Sequence, residues 1–217
     1  MTKTRKSHSF NFLNSSLLRK YTKMTHSNGT NGVHEASGSS STYTREEFMF
    51  DRDNIKEKLH KMYYLIDMKD WDYIANDCFS PDPVAVDFTD VFGGEPVAVS
   101  GQDIANSWKP RVEKLDSSQH CLINLHTYLD APGSPNVPST AKAVSSGIVH
   151  MKKSNFGASG GSNFHIGVRY EWELERMAPD SDGNPWRITK INCYKVWAEG
   201  NELLMHVNTM CEDAPAK

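Results

Sequence analysis

"NFHIGVRYEWELERM", residues 163–177, is the stretch on which the fold turns. Ile166, Val168, Tyr170, Trp172 and Leu174 occupy alternate positions, and all are apolar or aromatic. His165, Gly167 and Arg169 take positions between them. A repeat of two belongs to an extended strand, whose side chains point to opposite faces in turn. Three further runs read the same way: "QHCLINLHTYLDA" (119–131), "AKAVSSGIVHMKK" (141–153) and "WRITKINCYKVWAE" (186–199). Gly, Pro, Asn and Asp fill the gaps between them, as they do in short connections. Both faces of these strands remain candidates for the lining of a cavity.

Upstream the period changes. In "NIKEKLHKMYYLID" (54–67), Ile55, Leu59, Met62, Tyr63 and Ile66 recur at steps of three and four, the spacing of one helix face. Asp51 or Asp53 is placed to cap this helix, and Thr44 to cap a short one before it. "KDWDYIANDCF" (69–79) continues as another short helix, stopped at Ser80-Pro81. "PVAVDF" and "EPVAV" read as short strands around "TDVFGG". Ser100 and Asp103 form a capping pattern for a helix over "QDIANSWKPRVEKL" that Pro110 kinks or divides. Helices first and long strands afterwards give an α+β domain over residues 44–205, its helices packed on one face of a curved antiparallel sheet. A bent sheet folded over helices leaves a concave interior, where a small ligand would sit.

Residues 1–43 differ. The first 25 carry six Lys or Arg and no acid, and "THSNGTNGVHEASGSSSTYT" then offers too little apolar surface to fold. The basic start reads as an organelle transit peptide or as a disordered extension with Met24 the true start. "GASGG" (157–161) reads as a flexible hairpin connection, and residues 206–217 as a tail. The net charge of −3 argues against a nucleic-acid or membrane-surface partner, and no apolar run is long enough to span a bilayer. Cys78, Cys121, Cys193 and Cys211 lie far apart, without metal spacing, and are expected as free thiols in the reducing cytoplasm.

Nucleophile, phosphate-loop, dinucleotide and zinc-binding patterns are missing, so neither a metal nor a cofactor is expected. What remains is acid–base material. His120, Leu122, Asn124 and His126 share one strand face by alternation; Ser146, Ile148 and His150 share one on the next strand. Asp67, at the edge of a helix face, either does chemistry or marks the helix end. Arg169 has Glu171 and Glu173 nearby as surface partners. An imidazole titrates near neutrality, and a carboxylate on one ring nitrogen fixes its tautomer.

"LIDMKDWDYI" (65–74), "SSQHCLIN" (117–124) and "HIGVRYEWELER…WRI" together resemble the SnoaL-like branch of the NTF2-like superfamily over roughly residues 45–200. The resemblance implies a cone of helices enclosed by a curved antiparallel sheet, usually dimeric or trimeric, with a pocket at its wide end. The nearest branch by local motif is scytalone dehydratase, a cofactor-free enzyme of polyketide-derived melanin synthesis. Carried over, Asp67 orients His120, the general acid/base, and His150 is the second histidine. The pattern departs from that branch at Ile66 and Phe88, where tyrosines are expected, and at Gly167 and Arg169, where Ser and Asn are. Tyr63 then supplies a phenol, and Arg169 is the counterpart of an arginine in related dehydratases. The implied activity is a cofactor-independent dehydratase or isomerase acting on a hydrophobic, carbonyl-bearing metabolite such as a polyketide. A SnoaL-type cyclase and a non-catalytic binding module are the alternatives.

Overall fold

Thr44 starts the first helix, α1 (Arg45–Asp67): its hydroxyl accepts from the Glu47 N–H, and the Glu47 carboxylate accepts from the Thr44 N–H. Two donors with no partner inside the helix are thereby satisfied. The computed structural model describes residues 42–154 and 161–206. The extension up to residue 41, positions 155–160 with most of "GASGG", and the tail from 207, including Cys211, lie outside the described residues.

α1 runs unbroken through Asp51 and Asp53, so the expected second cap is not one. Asp51 is 3 % exposed and accepts from the Tyr43 hydroxyl, the Trp186 indole N–H and the Arg176 guanidinium. Three donors offset the desolvation of that carboxylate. Tyr43, assigned to the extension by sequence, is fully buried and belongs to the domain. Below Asp51 the helix buries Ile55, Lys58, Leu59, Met62, Tyr63 and Ile66. Lys58 is tolerated there because its ammonium donates to Asp180 at 2.5 Å, the Asp77 carbonyl at 2.8 Å and the Tyr73 hydroxyl at 3.0 Å. The helix closes with Lys69 in the left-handed region (φ 60°) and the Asp70 N–H on the Leu65 carbonyl.

A short helix, α2 (Trp71–Tyr73), and a π-helical turn (Ile74–Cys78) follow. Next come β1 (Val84–Asp87), α3 (Thr89–Phe92), β2 (Val97–Val99) and α4 (Gly101–Glu113). The Ser100 hydroxyl caps α4 by accepting from the Asp103 N–H. Pro110 does not divide α4: it and Asn106 are both exposed, so the carbonyl that Pro110 cannot bond is open to water. The four long strands are β3 (Ser117–Tyr128), β4 (Thr140–Lys152), β5 (Asn163–Arg176) and β6 (Trp186–Gly200).

These make one six-stranded sheet in the order β2-β1-β6-β5-β4-β3. It is mixed rather than purely antiparallel, because β1 runs parallel to β6. Long-range pairs joined by no tight turn are free to run either way, unlike hairpins. The inner face carries Ala141, Ala143 and Val149 of β4 and Phe164 to Leu174, at alternate positions, of β5. Register shifts in β5–β6 and in β3–β4 mark bulges, which bend the sheet around the helices. After β6 a 3₁₀ turn (Glu202–His206) lays Leu204 and Met205 over the core as a cover.

Candidate active site

β3 is an edge strand, so every second backbone N–H points away from the sheet and needs a partner. At His120 that partner is Asp67: the backbone N–H donates to Oδ2 at 2.6 Å. The same residue's Nδ1 lies 2.7 Å from Asp67 Oδ1, which also accepts from the Ser118 hydroxyl at 2.8 Å. Asp67 is the last residue of α1, so one carboxylate both pins the helix end to β3 and fixes the imidazole. Both side chains are about seven-eighths covered, at 13 % and 15 % exposure. Burial alone would raise the Asp67 carboxyl; the bonds and charge of His120, with the Ser118 hydroxyl, outweigh it and hold the group below its usual value.

His120 faces a pocket of about 760 Å³, including its open mouth, between the helices and the concave face of the sheet. Its floor is Val149, Ile166, Val168 and Tyr170 of the sheet, with Met151 and Cys193 at the sides. Its wall is Phe88, Val91, Phe92 and Trp108, and its cover is Leu204 and Met205. Phe88 is part of that lining; it stacks near Phe92 at 6.0 Å and meets the edge of Trp108 at 5.9 Å. Tyr63 lines it too, its ring 4.9 Å from the His120 ring and nearly parallel, and 5.1 Å from Tyr170. The Tyr63 hydroxyl is buried without a hydrogen-bond partner, and burial, reinforced by Tyr170, raises its pKa well above the ordinary phenol value. Burial likewise pushes the Cys193 thiol up to about 12, so it stays protonated.

Three expected site residues lie elsewhere. His150 pairs in register with Gln119, not with His120, whose partner is Val149. Paired residues point the same way, so His150 is on the outer face. There its Nδ1 lies 2.5 Å from that of His165. Arg169 is exposed on that same outer face, its guanidinium 5.2 Å from the Tyr194 ring centroid. Asn124 is exposed at the β3 bulge with φ 55°. One extra residue there reverses the alternation: Leu125, Thr127 and Leu129 turn inward and His126 outward. Ser118 and Arg111 line the pocket and were missed. Both left a signal in the sequence: Ser118 stands two residues before His120 on one strand face, and Arg111 three after Trp108 on one helix face. Among the described residues no three His, Cys, Asp or Glu side chains converge as metal ligands, and no helix is long and apolar enough to cross a membrane.

Residues 48–192 match the family model of the SnoaL-like domain. The chain belongs to the SnoaL-like family. Solved structures agree on the SnoaL-like fold. The Kfla4162 protein of Kribbella flavida shares 18 % identity with a TM-score of 0.62, covering 73 % of this chain and 99 % of that one. A hexachlorocyclohexane dehydrochlorinase, LinA-type3 of Novosphingobium barchaimii, gives 13 %, 0.52, 70 % and 91 % for the same quantities. A candidate scytalone dehydratase of Novosphingobium aromaticivorans gives 10 %, 0.52, 70 % and 88 %. No curated protein is a significant match. At these identities the likeness establishes the SnoaL-like, NTF2-like architecture, and the chemistry is argued from the residues above.

Proposed function

We propose that this SnoaL-like protein is a cofactor-independent dehydratase or isomerase, acting by proton abstraction next to a carbonyl of a hydrophobic metabolite such as a polyketide. The observation that carries the reading is the 2.7 Å contact between Asp67 and His120 Nδ1 at the wall of an apolar pocket. With Nδ1 bonded to the carboxylate, Nε2 is the nitrogen left to accept a proton. Nε2 takes the proton α to the substrate carbonyl, and the C–H electron pair moves into the carbonyl as an enolate. Asp67 stabilises the imidazolium so formed without itself taking the proton. The Tyr63 hydroxyl, kept protonated by burial, is the donor for the enolate oxygen. The imidazolium then returns its proton to a departing β-hydroxyl; the C–O bond breaks, the enolate collapses to a conjugated double bond, and water leaves. In an isomerase the same proton returns to a different carbon. Each transfer is of a proton, so the reaction as written calls for no bound redox group. Positioned acid–base catalysis supplies roughly 10²–10⁴-fold, and the dry, pre-oriented site supplies more.

The test is exchange of α-protons in D₂O, followed by NMR on a panel of aryl and alicyclic ketones. The wild-type protein should accelerate exchange; His120→Ala should abolish the acceleration, and Asp67→Asn should cut it about a hundredfold or more. His150→Ala, on the outer face, should match wild type. Wild-type exchange in His120→Ala, or none by the wild-type protein across the panel, contradicts the reading.

A further inference from the structure

One charged group in the pocket has no task in that reaction. Arg111, in the last turn of α4, lines the pocket and is half-buried. Burial lowers its pKa, and no neighbouring carboxylate among the described residues offsets that cost. The two most deeply buried cations, Lys58 and Arg187, both pair with Asp180. Arg111 instead lies over Phe92, 4.4 Å from the ring centroid. That contact holds the guanidinium against the pocket wall, and among the described residues its N–H donors meet no carboxylate. A partly desolvated cation with no carboxylate beside it among the described residues is stabilised when an anion arrives.

We propose that Arg111 receives a carboxylate of the substrate, so that the natural ligand is a hydrophobic, ring-bearing keto acid rather than a neutral ketone. The inference rests on the proton-abstraction reading only for the ketone; the carboxylate follows from Arg111 alone. A single guanidinium matches a carboxylate in charge and in its two-pronged geometry, whereas a phosphate would leave charge uncompensated. The apolar wall of Phe88, Phe92 and Trp108 beside Arg111 holds the ring system. Asp67 repels the acid group, and Arg111 draws it, so charge alone sets which end of the ligand faces His120.

Calorimetric titration with 2-naphthoate and with the neutral 2-acetonaphthone separates the two ligand classes. Wild-type protein should bind naphthoate about tenfold or more tightly than the ketone, as hydrogen bonds to a charged group allow. Arg111→Met should lose that preference while keeping its ketone affinity and melting temperature, and Arg111→Lys should keep part of it. His120→Ala should retain the full preference, so a failure of the catalytic reading leaves this result standing. Equal binding of the two ligands by wild type, no binding of either at millimolar concentration, or an undiminished preference in Arg111→Met overturns the proposal.

Discussion

A single phenol offers a sharp test at the scale of one residue. The Tyr63 hydroxyl is buried and unpaired, and such a group costs roughly 1–3 kcal/mol. Tyr63→Phe should therefore raise stability by about 1 kcal/mol in urea unfolding. If the hydroxyl also donates to the enolate, the same variant should lose about 10²–10³-fold in α-proton exchange. A variant that is both more stable and slower is the signature of a group kept for chemistry; unchanged exchange would make Tyr63 a packing residue only. Asp67 and His120 were legible because a helix edge and a strand histidine supply matching chemistry. His150 was misplaced because alternation within a strand says which residues share a face, and cross-strand register, invisible in one sequence, says which face is inside.

Bulges and glycines control the site at the scale of elements. Asn124 holds a left-handed backbone at φ 55°, a conformation that Asn tolerates and β-branched residues do not. Asn124→Val should cost about 1–2 kcal/mol in denaturant unfolding, and Asn124→Gly should be neutral or mildly stabilising. Gly147 lies beneath Tyr170: a Cβ there would stand 2.6 Å from the Tyr170 ring and 3.0 Å from Val168. Gly147→Ala should cost about 1–3 kcal/mol and, by tilting Tyr170 against Tyr63, lower exchange activity more than its stability loss explains. Helix caps at Thr44 and Ser100 and all four long strands were readable from local patterns. The bulge was not, since "LINLH" alternates no differently on paper from an unbulged strand. Nor was the continuity of α1 through Asp51, because a capping residue and a buried acceptor look alike until their partners are known.

For the molecule as a whole, two buried ion pairs lock α1 against the β5–β6 hairpin: Lys58 with Asp180 and Asp51 with Arg176. Lys58→Met leaves Asp180 short of a partner and should cost about 3–5 kcal/mol, measured as a fall in the unfolding midpoint with unchanged slope. Asp67 and Asp180 are both held below their ordinary carboxylate values: burial opposes this, and their cationic and hydrogen-bond partners outweigh it. Depressed folded values mean that the stability they supply is complete above the unfolded carboxyl pKa of about 3.9 and is lost as pH falls through the folded values. Melting temperature should therefore drop steeply below about pH 4, and less steeply in Asp67→Asn. The family and its α+β architecture were legible because order and spacing of elements survive in sequence; the parallel β1–β6 pair, made by distant segments, was not. The proposed proton abstraction depends on Asp67 fixing His120 with Nε2 free in the pocket. Two-dimensional ¹H–¹⁵N NMR of the imidazole nitrogens measures this directly. The expected result is the Nδ1–H tautomer for neutral His120 in the wild-type protein and its loss in Asp67→Asn; an Nε2–H tautomer in the wild type, or the same spectrum in both proteins, would contradict that role of Asp67.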